Sequence, residues 1–256
     1  MSSKERNALF RYWKKEEDQP FSGWDFSHIA DRCIMEPPPW SYEDMARRLM
    51  SRSSAVLDLG TGGGERLIAM RDVFSQRVVA TEEYLPNLVL ARERLSPYGV
   101  EVVKTEPSSL EQKFPFGDGE FDLVIDRHTC FNISEVERVL TPNGIFLTEQ
   151  VDGTDHEDLC QAFDCKPQWP FFTLGFVLNS IGSTDLVVEI AQEWEGRTVF
   201  KDVGAIVYYL KAVPWTVPGF SVETHYEYLL KLQDRINLEE KIAFIRRLLL
   251  IRARKA

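Results

Sequence analysis

Val56-Leu57-Asp58-Leu59-Gly60-Thr61-Gly62-Gly63-Gly64 decides the fold of this 256-residue chain. An apolar, β-type run meets an acid and then breaks into glycines. Glu65-Arg66-Leu67-Ile68-Ala69-Met70 follows with the character of a helix. Strand, tight turn and helix N-terminus form the cradle that α/β proteins offer to nucleotide-like ligands. Glycine is needed because a side chain would hold the ligand off the backbone, and because such a turn calls for positive φ. The dinucleotide fingerprint G-x-G-x-x-G does not fit. Started at Gly60 its last glycine falls on Glu65, and started at Gly62 it falls on Leu67. What stands here is an acid, one residue, then Gly60, Gly62 and Gly64 at alternate positions.

Outward from this stretch the chain alternates. Strands are expected at 55–59, 77–81, 100–104, 121–125 and 145–150, with helices over 86–95 and 133–140. Upstream, Ser41 opens a helix to about Met50, with Asp44 three residues on in a capping-box pattern. Downstream, a strand is expected at 185–193, a helix from Asp202 to Val213 stopped by Pro214, a helix over 222–236, and a strand over 244–253. Strands separated by helices mean an α/β, doubly wound, mostly parallel sheet. Seven strands are expected, in a Rossmann-like arrangement whose last strand is antiparallel. Residues 1–50 read as a helical and aromatic segment covering the pocket. Residues 51–256 read as the main domain, with a helical insert at about 196–240 between the last two strands, which form a hairpin at the sheet edge.

Composition narrows the function. Hydrophobic residues make up 44%, enough for an ordinary core, and the net charge is −10. Such a charge repels a phosphate backbone at long range and disfavours a nucleic-acid partner. Met1-Ser2-Ser3-Lys4-Glu5-Arg6 lacks the apolar core of a secretion signal. No apolar run reaches bilayer length. A cytoplasmic protein with no membrane partner is expected, as a monomer or homodimer. The four cysteines, Cys33, Cys130, Cys160 and Cys165, form no C-x-x-C pair. His156 and Cys160 stand four apart with Cys165 nearby, which could hold a metal. No fourth ligand is apparent, and buried cysteine is the plainer reading, so no metal is expected.

From Ala55 to Val151 the chain resembles the class I S-adenosylmethionine-dependent methyltransferases, of the type 11 small-molecule group. The residues that carry the resemblance are Val56–Gly64, Val78–Glu82, Phe114-Pro115-Phe116 leading to Phe121-Asp122-Leu123-Val124, and Glu137-Arg138-Val139-Leu140-Thr141-Pro142-Asn143-Gly144. Asn143 replaces a glycine of the last pattern, a mild departure because Asn tolerates positive φ. The remainder, including Asp202 to Phe220, resembles a bacterial subgroup of uncharacterised methyltransferases.

The resemblance implies S-adenosyl-L-methionine as cofactor and a small-molecule methyl acceptor. The methionyl part would lie over the turn of Gly60, Thr61, Gly62 and Gly64, its carboxylate meeting backbone N–H groups and the helix dipole. Asp58 would anchor the amino end directly, through water, or by orienting the turn. Glu82 would take both ribose hydroxyls; the plainer reading is a solvated strand-end acid. Glu83 could exchange roles with it, and Tyr84 could pack on the adenine. Glu106 and Ser109 are the candidates for the adenine edge, and Asp126 joins the cofactor set.

Methyl transfer from a sulfonium is an in-line displacement, so the protein mainly supplies orientation and a dry pocket. Asp126-Arg127-His128 ends the fourth strand, on the acceptor side. His128 could remove a proton, or could cap the next helix. Arg127 could hold a substrate carboxylate or phosphate, or make an internal ion pair. Trp24, Phe26, Trp40, Tyr208 and Trp215 are candidates for aromatic pocket walls, against the plainer reading of ordinary core. Tyr208 and Tyr209 are helix neighbours, so at most one would line the pocket. Alternatives to a small-molecule methyltransferase are an RNA or protein methyltransferase, and a catalytically silent cofactor-binding module.

Overall fold

The structure is a computed structural model that describes all 256 residues. In chain order its first elements are α1 (Ser3–Glu17), β1 (Cys33–Met35), α2 (Tyr42–Met50), β2 (Ala55–Leu59), α3 (Glu65–Ala69), β3 (Arg77–Glu82), α4 (Leu85–Leu95) and β4 (Glu101–Lys104). There follow β5 (Phe121–Arg127), α5 (Ile133–Val139), β6 (Leu140–Val151), α6 (Glu157–Ala162), α7 (Leu174–Ile181), β7 (Leu186–Phe200), α8 (Val203–Ala212), α9 (Tyr226–Glu239) and β8 (Ile242–Lys255). No helix is long and apolar enough to cross a membrane.

The strands form a mixed sheet in the order β1-β7-β8-β6-β5-β2-β3-β4. Pairs β2–β3, β3–β4, β2–β5 and β5–β6 are parallel, whereas β6–β8 and β1–β7 are antiparallel. The expected α/β doubly wound, mostly parallel, Rossmann-like sheet is present. It has eight strands rather than seven, because Cys33-Ile34-Met35 pairs with Thr198–Phe200. Three residues are too few to show a period of two, so only the partner strand reveals them. The sheet therefore ends on β1 and β4, with β7 and β8 as inner neighbours.

The chain divides into two compact units. One comprises Pro39–Asp152, Phe172–Trp194 and Leu248–Ala256. Its strands are apolar on both faces, and alternate residues feed two separate clusters. Val56, Val78, Ala80, Leu123, Ile125 and Leu147 point into one cluster, where Ala46 and Met50 of α2 and Leu88, Ala91 and Leu95 of α4 cover them. Leu57, Val79, Val124 and Phe146 point into the other, under Val136 and Val139 of α5 and Val177 and Ile181 of α7. Trimming a fully buried leucine here, such as Leu57, costs about 2–5 kcal/mol. Ser41 caps α2 by accepting the Asp44 N–H at 3.1 Å. Asn143 sits at φ 63°, a conformation Asn tolerates better than most residues.

The other unit comprises Met1–Pro38, Gly153–Phe171 and Glu195–Arg247. Its α1 packs closely on α8. A Cβ added at Gly204 would lie 2.7 Å from Tyr12 Oη, so a small residue is needed at that crossing. Asp202 caps α8 through the Ala205 N–H at 2.9 Å. Trp13, Ile206, Val207, Leu210, Leu229 and Phe244 form the core of this unit.

Candidate active site

The parallel order β5-β2-β3-β4 is grown outward from β2 and then resumed at β5 on its other side. Loops leaving the carboxyl ends of β2 and β5 therefore run in opposite directions and open a crevice, where ligands of open α/β sheets bind. The turn of Gly60, Thr61, Gly62, Gly63 and Gly64 leaves β2, and Asp126, Arg127, His128 and Thr129 lie at the end of β5.

Backbone geometry explains the glycines. Gly60, Gly62 and Gly64 all have positive φ, at 62°, 62° and 80°. A Cβ at Gly60 would stand 1.9 Å from Thr129 Oγ1, so the two loops touch and no side chain fits between them. The turn is braced from β3. Thr81 accepts the Gly60 N–H on its hydroxyl at 3.1 Å and the Thr61 N–H on its carbonyl at 2.8 Å.

Glu82 is buried at the end of β3. Its Oε2 accepts the Gly62 N–H and its Oε1 the Tyr84 N–H, both at 2.8 Å. Burial raises its pKa against the pull of these N–H groups. Each carboxylate oxygen has two lone pairs, so one on each oxygen is left for a ligand. Glu82 is thus a strut of the turn, a bracing role that spacing alone did not show. Glu83 is exposed and its carboxylate receives the Ser108 N–H. Tyr84 is 61% exposed just before α4.

Asp58 and Asp126 lie on adjacent strands. Enclosure by protein pushes the Asp58 carboxyl up to about 7, and the charge of Glu82 adds to the rise. The Thr61 hydroxyl lies beside Asp58 but closes no hydrogen bond of good geometry. Asp126 is fully buried, and desolvation drives its pKa well above the usual carboxylate range. Its Oδ1 accepts the Thr148 hydroxyl at 3.0 Å and the Gln150 amide, while Oδ2 has no partner. The buried Tyr42 hydroxyl also lacks a partner, and feels the charges of Asp58 and Asp126. A buried polar atom left unpaired costs about 1–3 kcal/mol, so two beside one crevice point to a ligand that completes them.

On the acceptor side one carboxylate organises three groups. Glu149 is buried, and its oxygens are both engaged. Oε2 accepts the Trp40 indole N–H at 2.7 Å; Oε1 accepts Arg127 Nε at 2.8 Å and lies 3.5 Å from His128 Nε2. These donors overcome the burial penalty and bring Glu149 down to about 2, so it stays ionised. The His128 N–H is tied to the Glu149 carbonyl at 3.0 Å, and the residue sits at φ 66°. Its surroundings, with Arg127 and Arg66 adding to them, lower the His128 pKa to about 4 despite Glu149. The helix after it is capped by Asn132, not His128.

A cleft on the β3–β4 side of the turn is lined by Leu59, Gly60, Thr81, Glu83, Thr105 and Ser108, with Gln112, Phe114, Thr129 and Cys130 closing it. Ser108 and Gln112 face it, rather than Glu106 and Ser109. Glu106 is exposed and gives only its carbonyl to the Gln112 amide at 2.7 Å, and the Ser109 hydroxyl accepts the Glu111 N–H at 3.3 Å. An irregular loop shows no period from which to choose among its residues.

Of the aromatic candidates, Trp40 belongs to this unit. Trp24, Phe26, Tyr208 and Trp215 gather in the other. Trp24 meets Trp215 edge-on at 5.9 Å and Phe26 at 6.4 Å. Tyr208 is buried there, against Phe21 at 6.0 Å. Cys160 and Cys165 both approach the Thr216 carbonyl, as buried thiols do. Glu149, Tyr42, Thr148 and Gln150 escaped the sequence reading. The signal for Glu149 was a lone acid near the end of an apolar strand.

Crevice, glycine turn and strand-end acid define a nucleotide-type α/β fold of the class I methyltransferase kind. Residues 51–171 match the family described as a methyltransferase domain. A presumed methyltransferase from Bacillus halodurans superposes with a TM-score of 0.56 at 20% identity, over 81% of this chain and 97% of its own. YcgJ from Bacillus subtilis gives 0.56 at 18%, over 83% and 98%. A geranyl diphosphate methyltransferase in complex with S-adenosylmethionine gives 0.50 at 13%, over 84% and 85%. No curated protein matches the sequence significantly. Residues 51–171 carry a methyltransferase domain, and the sheet around them has the Rossmann-like fold of its structural neighbours.

Proposed function

We propose that the enzyme methylates a small-molecule O, N or C nucleophile. The observation that carries the reading is the Glu82 carboxylate, anchored on the Gly62 N–H with acceptor capacity to spare. The residues fit the donor: a turn free of side chains, an acid one strand over, and unpaired polar atoms at Tyr42 and Asp126. When bound, S-adenosylmethionine supplies an electrophilic methyl group, and the electron pair of the broken C–S bond stays on sulfur. Glu82 takes the ribose diol with one lone pair of each oxygen. Asp58 holds the amino end.

His128 is the group placed to take a proton from the acceptor. With Nε2 facing Glu149, the neutral ring carries its proton there and leaves Nδ1 free to accept another. Its depressed pKa keeps it unprotonated at neutral pH. The carboxylate fixes ring orientation and stabilises the charge that forms. A small acceptor also agrees with the net charge of −10, which opposes polyanionic partners.

Calorimetry with S-adenosylhomocysteine on the wild type and on Glu82→Gln tests the cofactor half. Binding by the wild type and a loss on the order of tenfold in the variant are expected, a charge-assisted hydrogen bond being removed. A methyl-transfer screen over phenols, amines and carboxylates tests the acceptor half. Equal affinity in both proteins removes Glu82 from the site.

A further inference from the structure

Two guanidinium groups stand at the acceptor end of the crevice with their donors unspent. Arg127 uses only Nε, on Glu149 at 2.8 Å; neither of its terminal nitrogens has a protein acceptor. Its side chain is 21% exposed, so it is held rather than waving in solvent. Glu149 meets Arg127 through Nε alone, its oxygens being shared with Trp40 and His128. The arrangement spends a buried acid on aiming a guanidinium whose planar face of four N–H bonds stays open.

Arg66 follows two residues after Gly64, at the start of α3; its side chain is exposed and makes no hydrogen bond or ion pair with the protein. Partial desolvation of its guanidinium lowers its pKa, and it lies close enough to Arg127 for the two charges to repel, which adds to the fall. Glu149 and Glu43 pull on it from a distance without pairing. The contact of Gly60 with Thr129 holds the turn that leads to Arg66 against the strand end that carries Arg127. Two cations in one neighbourhood attract an anion, and the open planar fork of Arg127 suits an oxyanion bidentately.

We propose that the acceptor molecule carries an oxyanion, a carboxylate or a phosphate, that docks between Arg66 and Arg127 and sets its nucleophile beside His128. The proposal rests on the methyltransferase reading of the same crevice. It makes these arginines specificity determinants: an acceptor stripped of its anion loses recognition. The overall charge of −10 is no obstacle, since the attraction is local and a small ligand brings one or two charges.

The test is calorimetry at fixed ionic strength on protein saturated with S-adenosylhomocysteine, with benzoate, inorganic phosphate and neutral benzamide as probes. Benzoate or phosphate is expected to bind and benzamide not to; which anion binds tells a carboxylate handle from a phosphate one. Arg66→Met and Arg127→Met should each weaken the anion on the order of tenfold, as loss of a charged hydrogen-bonded partner does. Arg127→Lys, which keeps the charge without the fork, serves if Arg127→Met does not fold, and should also weaken the anion. Benzamide binding as well as benzoate overturns the proposal, as do variants that bind the anion normally. So does Arg66→Met that weakens S-adenosylhomocysteine instead, for Arg66 then serves the donor. Wild-type protein that fails to bind S-adenosylhomocysteine sinks the methyltransferase reading itself, a separate result from cofactor binding without anion binding.

Discussion

Replacing Asp58 by Asn should stabilise the ligand-free protein while damaging its site. The fold raises the Asp58 carboxyl from 3.8 to about 7. Between those values the folded state binds more protons than the unfolded one, so this group's contribution is fully favourable below about pH 4 and is lost as pH rises through 7. Three pKa units correspond to about 4 kcal/mol, and the partial exposure of Asp58 reduces the expected penalty to about 2 kcal/mol. Asn keeps the shape and never ionises. Urea unfolding of both proteins at pH 4 and pH 8 isolates the effect, since every other titration cancels in the difference. Asp58→Asn is expected to match the wild type at pH 4 and to exceed it by about 2 kcal/mol at pH 8. The same variant should bind S-adenosylhomocysteine on the order of tenfold more weakly, having lost the acid that meets the amino group. A stability gap that does not change with pH, or a wild type that is the more stable at pH 8, would refute the reasoning.

Gly60→Ala should destabilise by about 2 kcal/mol or more, because it combines positive φ with a clash against Thr129. Thr129→Ala in the same protein should recover the part of the clash made by Oγ1 and Cγ2, but not the part made by the Thr129 Cβ at 2.7 Å or by φ, as equilibrium unfolding of the double variant can show. His128→Ala should leave S-adenosylhomocysteine binding intact and lower turnover; unchanged turnover with a true acceptor excludes it as the base. Because the folded His128 pKa, about 4, lies below the unfolded 6.5, its stabilising contribution is complete above pH 6.5 and is lost as pH falls toward 4. His128→Gln should therefore flatten the stability profile over that interval, measured by urea unfolding at several pH values.

The glycine turn was legible in the chain. Asp58 and the alternate glycines announce the turn because strand, acid and glycine are contiguous, and positive φ at Gly60, Gly62 and Gly64 is a local demand on the backbone. Glu82 followed from counting one strand further on. Its bond to the Gly62 N–H was hidden, since it joins residues twenty positions apart through a register that only the formed sheet fixes. In the loop after β4, Ser108 rather than Ser109 lines the cleft, and an irregular loop carries no periodic signal to tell them apart.

The sequence alone determined the alternation of apolar strands and helices and the glycine turn, which depend on neighbours within a few residues. Tertiary structure decided the acceptor side. Trp40 and Glu149 are 109 positions apart, and nothing local records that one indole N–H and one guanidinium share a buried carboxylate. Nor does any window of sequence show that Arg127 is held by Nε alone. Periodicity reports which face of an element is apolar. Which polar groups meet across the crevice depends on how strands separated by most of the domain are brought side by side.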